Sequence, residues 1–187
     1  MINRSQILSE YKVLNRIAKG NGVVLFGSTT AVNFHLNELM QDYGFTRNVY
    51  NRSIAELTIE DSESYIKSCI NELSPEVILL NLGETELVND KYTVEEIIEQ
   101  YRWLLYQIHI SSPKTRIALI SVNAQTAKTS EFNKQLRLLA KEYGCQYADA
   151  PSNMYDSDFD ICFFHAIKSF LYDRSMTLAD ALHYCAI

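Results

Sequence analysis

Five short apolar runs, each separated from the next by a stretch with helical periodicity, constrain this chain more than any other feature. The runs are Val23 to Phe26, residues 46–51, Val77 to Leu82, Arg116 to Val122 and Cys145 to Ala148. Runs this short fit buried strands, and alternation with amphipathic helices requires crossover connections, so the sheet is expected to be parallel. A first helix over residues 5–18 turns Ile7, Tyr11, Leu14 and Ala18 to one side and stops at Gly20-Asn21-Gly22. After Gly27-Ser28-Thr29 a single helix is expected to bury Val32, Leu36, Leu39 and Tyr43 and to end at Gly44. Another carries Ile66, Cys69, Ile70 and Leu73. Thr93-Val94-Glu95-Glu96 has the form of a capping box, opening a long helix with Val94, Ile97, Ile98, Tyr101, Leu104, Leu105 and Ile108 inward. A helix from about Ser130 buries Phe132, Leu136, Leu139 and Tyr143, and residues 160–171 form one more. The pattern predicts a three-layer α/β/α, flavodoxin-like fold with a five-stranded parallel sheet. Residues 1–187 are read as one domain, with residues 1–20 an N-terminal helix ahead of the first strand.

In such sheets ligands bind where the loops converge at the carboxyl ends of the strands. Those ends are Gly27 to Thr30, Asn51 to Glu56, Gly83 to Glu86 and Asn123 to Gln125. A net charge of −6 leaves no basic stripe to neutralise phosphates, which argues against nucleic acid and anionic membranes as partners. The apolar runs are too short to span a bilayer. Charged residues at Arg4, Glu10, Lys12 and Arg16 interrupt any signal-like segment, so a cytoplasmic protein is expected. The four cysteines, Cys69, Cys145, Cys162 and Cys185, show no CxxC spacing and read as free thiols. Oligomeric state is not legible.

The same loops carry a resemblance. Val24-Leu25-Phe26 runs into Gly27-Ser28-Thr29, the second strand into Asn51-Arg52-Ser53-Ile54-Ala55-Glu56, and the third into Gly83-Glu84-Thr85-Glu86. Pro113 to Ile117 precedes the fourth strand, Phe132-Asn133 opens the next helix, and Asp180-Ala181-Leu182-His183 lies near the end. In order and placement, over residues 7–184, these stretches resemble the motifs of the SGNH (GDSL-type) ester hydrolases. The resemblance implies an acyl-ester hydrolase acting on a small acyl ester or an O-acetylated sugar, without a cofactor.

It also implies site residues. The family's nucleophile position falls on Thr29, with Ser28 in the preceding aspartate position as a displaced alternative. Asp180 and His183 match the family's orienting acid and general base, and are expected in one loop beside the end of the first strand. The oxyanion donors fall on Glu56, where the family has glycine, and Thr85, where it has asparagine, with Gly83 in the same motif. Three of the four name-giving residues are therefore replaced. A methyl crowds the Thr29 hydroxyl, and loss of an oxyanion donor typically costs about 10²–10³ in rate. The alternative is a non-catalytic pseudoenzyme that binds a ligand or partner in the same crevice. In that reading Ser28 and Thr29 simply cap the helix that follows, and Glu56, Glu84 and Glu86 are solvated loop charges. Two further readings are weaker: a phosphate or flavin nucleotide at the helix after Gly27, and a divalent cation among Glu56, Glu84, Glu86, Asp180 and His183.

Overall fold

The computed structural model describes residues 3–153 and 156–172. Its strands are β1 (Val23–Gly27), β2 (Val49–Asn51), β3 (Val77–Asn81), β4 (Arg116–Ile120) and β5 (Gln146–Ala148). All neighbours pair parallel in the order β2-β1-β3-β4-β5. Both faces are covered, so the central strands β1 and β3 are buried along their whole length, as continuous apolar runs require. One side chain set of the sheet (Val24, Phe26, Ile78, Leu80) packs with α5 (Ile66–Cys69), α7 (Val94–Ser111) and α8 (Thr129–Glu142). The other set (Val23, Leu25, Val77, Leu79) packs with α2 (Thr29–Asn33), α3 (Leu36–Asp42) and α9 (Phe159–Leu171). The three-layer architecture is the expected one.

The capping box is present: Glu96 N–H donates to Thr93 Oγ1 at 3.2 Å and Thr93 N–H to Glu96 Oε2 at 2.8 Å. All seven side chains expected inward from α7 are buried. Asn133 holds Val122 by both backbone groups, accepting from its N–H and donating to its carbonyl, each at 2.9 Å. This tethers α8 to the chain leaving β4.

Several expectations are corrected. The helix after β1 is two helices, not one. The bond that would join them, from His35 N–H to the Ala31 carbonyl, is replaced at both ends by side chains. Asn51 Nδ2 donates to the Ala31 carbonyl at 2.7 Å, and Asp160 Oδ2 accepts from His35 N–H at 3.2 Å. Phe34, extended between them, turns inward and meets the Phe163 ring at 4.6 Å. Val32 is consequently exposed rather than buried. Two helices were unforeseen, α4 (Ile59–Ser62) and α6 (Glu84–Asn89), the latter within a segment expected to be a loop.

Helix α1 (Arg4–Asn15) is shorter than residues 5–18 and leaves Leu14 exposed, while Ile7, Leu8 and Tyr11 pack partly buried on the α5 side. It is pinned to the loop after β2, where Tyr11 OH donates to the Ser53 carbonyl at 2.6 Å. Of the cysteines, Cys69 is fully buried, which pushes its thiol up to about 12, whereas Cys145 is half-buried and Cys162 exposed. No helix among the described residues is long and apolar enough to cross a membrane.

Candidate active site

The strand order reverses between β1 and β3, and the loops leaving them part there to open a crevice at the carboxyl edge. Its volume is about 530 Å³, and it is lined by Arg4, Thr29, Glu56, Thr58, Glu84, Thr85, Val88 and Asn89. Close packing beneath it fixes the loops. A Cβ on Gly27 would lie 2.6 Å from the Asn81 carbonyl and 2.7 Å from Ala31 Cβ, so only glycine lets β1 approach β3 and turn into α2.

Thr29, the first residue of α2, is half-buried with its hydroxyl in the crevice. Glu56 N–H donates to Thr29 Oγ1 at 3.0 Å. This amide is aimed by a left-handed backbone, φ +57° at Glu56, the conformation that glycine adopts without cost. The position where the resemblance replaces glycine by glutamate has thus kept glycine's geometry. The Glu56 side chain is exposed, and its carbonyl accepts from Arg4 Nη2 at 2.6 Å. Arg4 also pairs with Asp61 Oδ2 at 2.7 Å, so the start of α1 forms one wall of the crevice.

Ser28 is placed differently. It is fully buried, and its Oγ lies 2.9 Å from Thr85 Oγ1, so the two hydroxyls share one hydrogen bond. Ser28 holds the N-cap position of α2 but makes no side-chain cap. The capping role belongs to Glu84, whose Oε2 accepts from Thr30 N–H at 3.2 Å and Thr30 Oγ1 at 3.0 Å. A carboxylate therefore fills the place an incoming phosphate would need, and the helix behind it has five residues, which removes the nucleotide reading.

Gly83 caps α6 at φ +109°, packed so tightly that an added Cβ would lie 2.6 Å from Phe132 Cζ. Glu86 is not a solvated charge: it is buried, and its Oε1 accepts from Ile59 N–H at 2.5 Å, capping α4. Burial holds the Glu86 carboxyl above the usual carboxylate range, against the opposing pull of the Ile59 N–H. Glu84 and Glu86 are thus spent on capping different helices. Among the described residues no three His, Cys, Asp or Glu side chains converge as a metal site.

Asp180 and His183 lie outside the described residues. Of the other three histidines, two are paired with side chains other than Thr29. His35 Nδ1 meets Asp160 Oδ2 at 2.5 Å, His165 Nε2 meets Tyr43 OH at 3.0 Å, and His109 sits in the last turn of α7, at the opposite edge of the sheet. The structure brings Thr29, Glu56 and Thr85 together around one crevice, while Gly83 is packed against Phe132 and is not part of its lining. It adds Arg4, Thr58, Val88 and Asn89, which sequence reasoning missed. Thr58, followed three residues later by Asp61, carried a helix-start signal; nothing in the sequence marked Arg4.

The fold, a five-stranded parallel sheet with helices on both faces, is shared with solved structures of GDSL-like lipases and acylhydrolases. A GDSL-like lipase from Bacteroides thetaiotaomicron superposes with a TM-score of 0.67 at 15% identity, over 88% of this chain and 98% of that one. A lipase/acylhydrolase from Enterococcus faecalis gives 0.63 at 15% identity over 83% and 100%. The esterase EstA from a Pseudoalteromonas species, whose structure was also determined inhibited by monoethylphosphonate, gives 0.62 at 11% over 82% and 100%. No family model and no curated protein matches the sequence.

Proposed function

We propose that the chain is an ester hydrolase of small acyl or O-acetyl esters, working at the Thr29 crevice. The observation that carries this reading is the Glu56 amide, 3.0 Å from Thr29 Oγ1 and held by a left-handed backbone. In this reading the Thr29 hydroxyl attacks the acyl carbon and the Glu56 N–H stabilises the oxyanion. Thr85 adds a second donor when it accepts from Ser28 and turns its own hydrogen into the crevice. His183, oriented by Asp180, takes the Thr29 proton and returns it to the leaving alcohol. Water then releases the acyl group by the same route. Ser28, buried and bonded to Thr85, is left out of the chemistry. Tyr172 lies at the edge of the sheet opposite Thr29, where its carbonyl accepts from Arg47 Nη1 at 2.5 Å. The eleven residues from Tyr172 to His183 can reach at most about 40 Å fully extended, ample to return to the crevice. The fold of EstA supports an esterase reading at the level of architecture.

A second reading is a non-catalytic binder using the same crevice, with Thr85 and Ser28 spent on one another. Turnover of p-nitrophenyl acetate, with intact-mass detection of an acetyl adduct mapped to Thr29, separates the two. Hydrolysis lost in both Thr29→Val and His183→Ala supports the enzyme. Absence of turnover across short-chain esters, or turnover unchanged in both variants, leaves the binding reading.

A further inference from the structure

Helix α1 buries none of its residues, yet it is attached at defined points. Tyr11 OH reaches the Ser53 carbonyl at 2.6 Å, the Arg52 guanidinium lies 5.0 Å from the centre of the Tyr11 ring, and Arg52 Nε donates to Asn15 Oδ1 at 3.1 Å. Arg4 Nη2 adds the Glu56 carbonyl at 2.6 Å, so all these contacts fall on residues 52–56. The helix is a splint along the loop that carries the Glu56 amide.

That loop needs support. Leu57 N–H donates to the Ile54 carbonyl at 3.2 Å, which makes Ala55 and Glu56 the central residues of a turn. The second of them stands at φ +57°, where such turns favour glycine. Rearrangements that relax Glu56 lower its energy, and any that shift its carbonyl must first break the Arg4 bond. That bond is charge-assisted, and Arg4 is itself held by Asp61 Oδ2 at 2.7 Å. Asp61 is fixed in turn, its N–H donating to Thr58 Oγ1 at 3.0 Å in the first turn of α4. One guanidinium therefore ties Glu56 to the start of the next helix. On the other side of the residue, the Glu56 N–H meets Thr29 Oγ1. During the proposed reaction this N–H leaves Thr29 for the developing oxyanion, and the carbonyl bond to Arg4 still holds the residue in place.

We propose that Arg4 is a positioning residue of the Thr29 site: through the Glu56 carbonyl it keeps the Glu56 amide aimed into the crevice, and so makes the docking of α1 part of the catalytic arrangement. This role rests on the esterase reading for its effect on rate, but the hold of Arg4 on the amide is measurable without turnover. An oxyanion donor must be in place before charge develops, so loosening it slows the chemical step rather than the binding of substrate.

Arg4→Gln in the full chain should lower kcat for p-nitrophenyl acetate about tenfold, short of the roughly 10²–10³ of a lost oxyanion donor, with KM near the parent's. Far-UV circular dichroism confirms the fold. In a Glu56→Gly background the same substitution should cost less than about twofold, since glycine has no strain to relax. Native-state hydrogen exchange read by NMR should show the Glu56 amide exchanging about tenfold faster in Arg4→Gln, with the amides of β1 and β3 unchanged. Should the parent hydrolyse no ester, faster exchange still upholds the hold of Arg4 on the amide, while the esterase reading fails. Unchanged exchange at Glu56 overturns the proposal whether or not the protein is active. So does a raised KM with kcat unchanged, which would make Arg4 a substrate contact, or an equal loss of kcat in both backgrounds.

Discussion

Replacing Glu56 by glycine should stabilise the protein, an unusual result for a substitution to glycine. Glu56 holds φ +57°, and its side chain is exposed, so removing the side chain forfeits no buried contact. Its N–H to Thr29 and its carbonyl to Arg4 are backbone groups that glycine retains. The left-handed conformation costs a non-glycine residue about 1–2 kcal/mol. Against this, glycine loses about 0.4–1 kcal/mol more through the entropy of the unfolded chain. The difference favours Glu56→Gly by about 0.5–1 kcal/mol, or roughly 1–4 °C in Tm for a chain of this length. Glu56→Ala is the control, since alanine removes the carboxylate but keeps the strain, and it should fall close to the parent. Urea unfolding of the three proteins, compared at a common m-value, reads the effect directly. Glu56→Gly no more stable than Glu56→Ala would show that the backbone is unstrained, and the argument that this position keeps a glycine's geometry would fail.

Two further outcomes follow from the packing around the crevice. Burial raises the Glu86 carboxyl, so the folded chain holds this proton to higher pH than the unfolded chain; its contribution is complete below the ordinary glutamate value of about 4.3 and is lost as pH rises through the folded value. Glu86→Gln, which keeps an oxygen for Ile59 N–H, should therefore gain stability relative to the parent as pH rises from acid to neutral, and a difference that stays flat over that range refutes it. Gly83→Ala would put a Cβ 2.6 Å from Phe132 Cζ at φ +109° and should cost about 2–5 kcal/mol, part of which Phe132→Leu in the same chain should recover. Purely additive effects of the two substitutions in thermal melts would show that the ring is not the obstacle.

The strands were legible because a centrally placed parallel strand must be apolar on both sides, and Val77 to Leu80 has no other reading. Their ends were less so. Gly27 extends β1 one residue past the expected Phe26 because the β3 backbone holds it there, and β3 stops at Asn81, one residue short of the expected Leu82. The break at Phe34 was invisible for a related reason: it depends on Asn51 and Asp160, distant in sequence, taking the two backbone groups a continuous helix would have used. Helix α6 looked like a loop because Glu84-Thr85-Glu86 is polar and follows a glycine. Burial of Glu86 requires the Ile59 amide, which only the fold supplies. In the site, motif order pointed to Thr29, Glu56 and Thr85, which line one crevice, and to Gly83, which lies behind it as the cap of α6. Arg4 could not have been found, since it reaches the crevice only through the docking of α1.

What persists and what changes at this crevice divides along a physical line. The backbone around Glu56 is fixed by its neighbours: Ile54 and Leu57 are fully buried, and Ile54 N–H donates to the Gly27 carbonyl at 3.0 Å, tying the loop to the end of β1. A side chain at position 56 points away from that anchorage, so exchanging glycine for glutamate costs local strain without moving the amide. Gly83 has no such freedom, because Phe132 occupies the volume a side chain would need, and there the glycine remains. Position 85 lies between these cases. Its hydroxyl satisfies the buried Ser28, so the pair is matched: an asparagine at 85 facing Ser28, or an aspartate at 28 facing Thr85, would have to share a space now closed by one 2.9 Å hydrogen bond. Thr85 and Ser28 are therefore coupled, and a substitution at either position alone takes away the other's 2.9 Å partner. The chemistry left at the edge is what the backbone can still offer, an amide directed at a hydroxyl, and the proposed reaction depends on that pair.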